Sequence, residues 1–325
     1  MTKKAHQHFK SITFTGTKPG LRLIVLGAVH GNETCGTQAI FRVINEMETG
    51  LMPVVAGSVT FVPITNPLAY ALKQRMGERN LNRNLNPNSQ PGNYEDYVAN
   101  WLCPLLAQHD VLLDLHSFHT PGKPFALIGP LNNTGTLEPF QHAAEEESLV
   151  ARLGVHLIVD GWLDTYSRGV TLRLANKHGY PNHAQLHNLD TKYGVGTTEY
   201  MRSQGGWAMT LECGQHDDPE APQVAYQAIH NTLAHLALID YPAPKVVDGL
   251  KSLRILEVID KTSSEDNFSK AWKNFDVTYA GDLIGTRKDG TPVIAEHEAI
   301  LLFPNPKAEA GNEWFYLAKL VERFR

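Results

Sequence analysis

Between Gly20 and Gly31 the chain runs through a nearly unbroken apolar stretch, LRLIVLGAV at 21–29, which predicts a strand buried on both faces as in parallel sheets. Residues 34–48 follow with Ile40, Val43, Ile44 and Met47 at helical spacing, so the first unit reads strand, loop, helix. The pattern then repeats. Strands are predicted at 58–64 (SVTFVPI), 110–116 (DVLLDLH) and 209–213 (MTLEC). Helices are predicted at 94–108, with Tyr97, Trp101, Leu102, Leu105 and Leu106 on one face, and at 141–153, with acidic Glu145, Glu146 and Glu147 turned to solvent. A long Ala/Ile/Leu-rich helix covers 221–239. Alternating strands and helices define an α/β fold: a mainly parallel mixed sheet with helices on both faces.

The character changes at YPAPKVV, where two prolines within four residues mark a linker. Beyond it short β patterns dominate, at 253–259, 276–279, 292–295, 299–303 and 314–320, separated by Gly-containing turns such as KDGT. Residues 1–244 therefore read as the main domain and 245–325 as a small β-rich C-terminal domain packed beside it. No internal repeat or low-complexity segment interrupts this division.

Composition narrows the function classes. The 325 residues are 42% hydrophobic and 19% charged, enough for a buried core and unlike a disordered chain. A net charge of −5 supplies no basic field for a nucleic-acid backbone. No apolar run reaches the ~18 residues of a membrane span, and MTKKAHQHFKSITF has no apolar leader core. With only three cysteines, Cys35, Cys103 and Cys213, a disulfide framework is not expected. The expectation is a cytoplasmic protein acting on a small molecule, with no nucleic-acid or membrane partner; a homo-oligomer stays open. Histidine is abundant, 15 of 325, and imidazole is the commonest metal ligand.

Four segments carry candidate chemistry. In AVHGNE, His30 and Glu33 stand three apart just past the first core strand, where ligands bind in open α/β sheets. An imidazole and a carboxylate there can converge on one cation; the structural alternative is a loop that caps the next helix. His116 ends VLLDLH at the same sheet edge, and catalytic zinc usually takes three such ligands and leaves one position open. Asp114, two residues earlier on the same strand face, can hold the outer ring nitrogen of that histidine; His119 is a rival ligand in the loop beyond. Glu212 lies inside the apolar strand MTLEC, where burial raises a carboxyl pKa toward the range useful for proton transfer, unless an ion pair at the sheet edge satisfies it. Finally, ALKQRMGERNLNRNLNP packs Arg75, Arg79 and Arg83 among five asparagines. Such arginines fork onto carboxylates or face an oxyanion, although a solvated basic turn has the same composition.

In this order, GAVHGNE, Arg75 with NLNRNL, DLH and TLECG resemble the succinylglutamate desuccinylase/aspartoacylase family of the zinc carboxypeptidase superfamily. The resemblance spans residues 21–240 and implies a zinc carboxypeptidase-like fold with one Zn2+ per chain, held by His30, Glu33 and His116. It also implies Glu212 as general base and then general acid, and Arg75 on the scissile carbonyl. Asn82 and Arg83 would hold a substrate carboxylate, joined by Arg202, ten residues before Glu212. The chain departs from the family pattern D-L/M-N-R-x-F, with Asn80 in place of Asp and Leu85 in place of Phe. No residue of 246–325 could be matched to the family's C-terminal substrate tyrosine.

The function so implied is hydrolysis of the amide of an N-acyl amino acid or similar small carboxylate-bearing substrate. A carboxypeptidase or small-ester hydrolase would use the same chemistry. A non-catalytic metal-binding protein would need a closed fourth ligand, for which His178, His183 and His187 are candidates, though they read as an exposed loop. Cys213 alternates away from Glu212 and Cys35 opens a helix, so neither is assigned a nucleophilic role.

Overall fold

A computed structural model of the chain describes residues 8–175 and 189–324. His178, His183 and His187 lie outside the described residues. The sheet nucleus is β2 (Lys18–Leu26), whose last four side chains are fully buried. Leu23 and Val25 enter one core with α1 (Cys35–Glu48), while Ile24 and Leu26 enter a second core on the other face. This two-sided burial produces the continuous apolar run in the sequence, because alternate side chains meet a different helical layer. β2 pairs in parallel with β3 (Ala56–Val62) on one side and β4 (Val111–Phe118) on the other.

Helices cover both faces. α1 buries Ala39, Ile40, Val43, Ile44 and Met47, the spacing of one helical stripe. α3 (Tyr94–Leu106) follows the short α2 (Pro67–Leu72) and packs on the opposite face through Val98, Ala99, Leu102, Cys103 and Leu106. Tyr97, expected on that buried face, is exposed. β5 (Phe125–Leu127), α4 (Ala143–Val150), β6 (Leu157–Asp160), α5 (Trp162–Ala175) and α6 (Thr197–Ser203) lead to β7 (Trp207–Gln215). β7 lies parallel to β4, and α7 (Ala221–His235) returns over the α1 face.

The C-terminal segment is β-rich, but it continues the same sheet. β8 (Lys251–Asp260) pairs in parallel with β6, and β14 (Glu313–Val321) lies antiparallel along β8. β13 (Ala299–Leu302) and β10 (Val277–Thr278) complete the 11-stranded order β1-β3-β2-β4-β7-β5-β6-β8-β14-β13-β10, with β1 (Ile12–Thr15) at the far edge. β9 (Asn267–Phe268), β11 (Leu283–Thr286) and β12 (Pro292–Ile294) form a separate three-stranded sheet. Phe118 and Phe125 share one core with Leu253, Ile255, Leu302 and Tyr316, so the 244/245 boundary read from the prolines is bridged by strand pairing and by common packing. Among the described residues no helix is long and apolar enough to cross a membrane.

Candidate metal centre and its surroundings

The loop after β2 turns back on itself, with Glu33 N–H donating to the His30 carbonyl at 3.1 Å, and so points both side chains inward. Gly31 permits the turn: a Cβ there would sit 1.9 Å from the Ala69 carbonyl carbon on α2. On β4, Leu113 and Leu115 enter the α1 core, whereas Leu112 enters the other. By strand alternation Asp114 and His116 share the face of Leu112. On β7, Met209, Leu211 and Cys213 likewise face the α1 core, which turns Glu212 to the side of His116.

Three donors converge. His30 Nδ1 lies 2.9 Å from Glu33 Oε1, His116 Nδ1 lies 2.9 Å from Glu33 Oε2, and the two Nδ1 atoms are 3.2 Å apart. All three residues are buried, and their donor atoms fall within 4.8 Å of one another. The outward nitrogens are also engaged: His30 Nε2 is 3.1 Å from Asn80 Oδ1, and His116 Nε2 is 2.9 Å from Asp114 Oδ2. The Thr197 hydroxyl donates to that same Asp114 oxygen. Two imidazoles whose inner nitrogens face Glu33, plus that carboxylate, form a donor set suited to zinc; Asn80 bonds the outer nitrogen of His30, and Asp114 stands against that of His116 as an ion pair without hydrogen-bond geometry. The residues fit the ion. Asn80, the departure from the family pattern, is thereby a partner of His30.

Electrostatics follow from the burial. Desolvation and the Arg75 charge lower the His30 pKa to about 4, so its ring is neutral at pH 7. Desolvation opposes charge on His116 as well, but the Asp114 and Glu33 carboxylates outweigh it and hold that ring well above its usual value. Desolvation would raise Glu33, yet the two imidazoles keep it well below the carboxylate range. Glu212 differs. Burial and the Glu33 charge push its pKa up to about 8 against the pull of His116 and Arg75, and its Oε2 is buried without a hydrogen-bond partner.

The arginine-rich turn divides into separate tasks. Glu95, wholly buried on α3, accepts from Asn66 Nδ2 and from the backbone N–H groups of Gly77, Glu78 and Arg79, which fixes the turn. Arg79 is structural, bonding Asp96, Asn93 and the carbonyls of Asn80 and Arg83. Arg75 reaches the centre, its Nη1 donating to Glu33 Oε1 at 3.0 Å, and its side chain stays 40% exposed toward the opening. Asn82 Oδ1 accepts from Thr197 N at 2.9 Å, docking α6 beside the centre. Arg83 is buried over the Trp162 ring, donating to the Asn82 carbonyl and to Glu313 Oε1 at 3.1 Å.

Glu313 and Tyr316, both on β14, were not singled out in the sequence. Tyr316 packs on Trp162, its hydroxyl is buried without a hydrogen-bond partner, and it feels the charges of Glu313 and Arg83. A tyrosine from the C-terminal segment thus stands beside Arg83. Only strand pairing reveals it, since the local pattern WFYLAKL reads as core.

Arg202 corrects an expectation. Its guanidinium donates to Glu146 at 2.8 Å, to Glu138 at 2.9 Å and to the Ala208 carbonyl at 2.8 Å, with Glu199 at 3.5 Å, so it is committed inside the protein. The physical reason is direction. Arg202 anchors the start of β7 at Ala208, and four residue steps along the strand, about 13 Å, separate Ala208 from Glu212. Glu146, expected in solvent, is fully buried in this cluster. His119 lies apart from the three donors, against His216. All three cysteines are free and buried.

Comparison with known proteins bears on the family resemblance and on the fold. Residues 19–126 match the succinylglutamate desuccinylase/aspartoacylase catalytic domain. Over that segment, which holds all three donors and the arginine turn, the resemblance to that family is shown. A succinylglutamate desuccinylase/aspartoacylase from Rhodobacter sphaeroides superposes with a TM-score of 0.70 at 16% identity, over 96% of this chain and 90% of that one. The product-bound ectoine utilization protein of Ruegeria pomeroyi gives 0.68 at 17% identity, over 95% and 88%. Succinylglutamate desuccinylase from Vibrio cholerae gives 0.68 at 19% identity, over 96% and 84%. At these identities the structures establish a common fold. No curated protein matches by sequence.

Proposed function

We propose that the chain is a zinc-dependent deacylase that hydrolyses the amide of an N-acyl amino acid or a similar small carboxylate-bearing substrate. The observation that carries this reading is the convergence of His30, Glu33 and His116 beside a buried, proton-retaining Glu212. When bound, zinc supplies Lewis-acid charge to the scissile carbonyl and to the attacking water. With the positive charge of zinc beside it the Glu212 carboxyl would ionise, and as carboxylate it would take the proton of that water and return it to the departing amine nitrogen. Arg75, the partly exposed cation of the centre, stabilises the carbonyl oxygen as negative charge develops there. Asp114 and Asn80 orient the two imidazoles.

The wall formed by Arg83, Glu313 and Tyr316 lies on the substrate side of this reading. Arg83 is buried and already paired with Glu313, so a substrate carboxylate would have to displace Glu313 to reach its guanidinium. A cytoplasmic setting belongs to the same proposal, since three free buried thiols suit a reducing compartment.

The test is zinc analysis together with a hydrolysis screen of N-acetyl, N-succinyl and N-formyl amino acids, simple esters and dipeptides. Stoichiometric zinc with turnover of an N-acyl amino acid is expected. Zinc without any hydrolysis would leave only metal binding, and preferred cleavage of dipeptides would make the chain a carboxypeptidase.

A further inference from the structure

A second pair of imidazoles stands at the rim of the site. The segments that leave β4 and β7 are tied together, with His216 N–H donating to the Phe118 carbonyl at 2.9 Å and Gln215 Nε2 donating to the His119 carbonyl at 3.1 Å. These ties bring His216 Nε2 within 3.2 Å of His119 Nδ1, with the ring planes at 82°. The Ser117 hydroxyl lies 2.8 Å from His216 Nδ1, and in the tautomer in which it accepts that N–H the Nε2 carries a lone pair. The Asn32 side chain closes the group, its Nδ2 3.4 Å from His216 Nε2 and its Oδ1 buried without a partner. Exchanging the two ends of that amide turns its orphaned oxygen toward the imidazoles.

We propose that His119 Nδ1, His216 Nε2 and Asn32 Oδ1 form a second site for a divalent transition ion, separate from the centre of His30, Glu33 and His116. Ligands on a tetrahedral zinc at ~2.0–2.1 Å stand about 3.3–3.4 Å apart, close to the spacing already present between the two nitrogens. Ser117 holds the ring of His216 by its outer nitrogen, as oxygen acceptors commonly do for metal-bound histidine. His119 is exposed and His216 half-buried, so the ion exchanges with solvent, in contrast to the buried first centre. Imidazole-rich sites favour zinc and copper over magnesium or calcium, which sets the class of ion.

Chelator-stripped full-length protein is titrated with zinc alone by calorimetry, and bound metal is counted after equilibrium dialysis. Two equivalents are expected. His119→Ala, at an exposed position, and His216→Ala should each bind one, and Ser117→Ala should weaken the second equivalent by about 10–100-fold. His116→Ala should lose the first equivalent and keep the second. A wild type that binds one equivalent, retained in His119→Ala and lost in His116→Ala, would overturn the second site. One equivalent lost in His119→Ala and retained in His116→Ala would support it and reject the first centre instead.

Discussion

His116 and Glu212 are register partners on the parallel strands β4 and β7 and share one face of the sheet. Strand pairing alone therefore sets a candidate-ligand imidazole beside a carboxyl whose pKa, without a metal, burial and the Glu33 charge push up to about 8. Backbone hydrogen bonds hold the spacing, with no loop adjustment needed.

Replacing Glu212 by Gln keeps this geometry and removes the titration. Hydrolysis should fall by about 10²–10⁴-fold, the usual share of general acid–base catalysis, with zinc content unchanged. Wild-type turnover in a zinc-loaded Glu212→Gln protein would remove Glu212 from the mechanism.

The raised pKa also has a thermodynamic sign. A carboxyl with a folded pKa of about 8 and an unfolded value near 4.5 makes the native state bind more protons between those limits. Stability then falls as pH rises through that window and levels off above it. Melting temperatures of metal-free wild type should decline relative to Glu212→Gln between pH 5 and 8. Parallel curves for the two proteins would contradict the buried, protonated state.

Metal uptake should release a proton. His116 is held well above its usual value by Asp114 and Glu33, and a coordinating imidazole must be neutral. Zinc affinity is therefore expected to drop as pH falls. Titrations in buffers of different ionisation enthalpy at pH 7 count the released protons; none released would place His116 neutral beforehand.

Asp114→Asn and Asn80→Ala act on the ligands from behind. Each should weaken zinc binding by about 10–100-fold without removing a ligand. Competition against a chromophoric chelator measures both, and unchanged affinity in Asn80→Ala would mean that its 3.1 Å contact with His30 does not orient the ring.

Arg202 offers a stability contrast. Arg202→Met strands Glu146 and Glu138 in the interior and should cost about 3–5 kcal/mol in urea unfolding, with KM of the folded enzyme unchanged. A raised KM with little loss of stability would restore the substrate role expected from its spacing to Glu212.

The convergence of His30, Glu33 and His116 is legible in the sequence because its signals are local. A strand end, a turn and two residue types fix His30, Glu33 and His116, and period-two alternation places Asp114 and Glu212 on the correct faces. Arg202 was misjudged because spacing along the chain carries no direction, and the turn at Gly205–Gly206 carries β7 away from it. Glu146 reads as a solvated acid and Glu95 carries no signal of its own, and only tertiary packing shows both gathering N–H donors in the interior. Glu313 and Tyr316 reach Arg83 through pairing across about 230 residues of chain, which no local pattern encodes.

β14 departs from regular pairing between Glu313 and Phe315, where one extra residue sits opposite the Asp260–Ile259 step of β8. Strict alternation would send Glu313 and Tyr316 to opposite sides, whereas the irregularity brings both to the wall beside Arg83. Without Trp314, Glu313 and Tyr316 would stand two apart in a regular strand and keep a common side, whereas regular pairing with Trp314 retained would turn Glu313 away from its arginine. The extra length at Trp314 is therefore what lets two side chains three apart in sequence share one wall, and His30, Glu33 and His116, on other elements, do not depend on it.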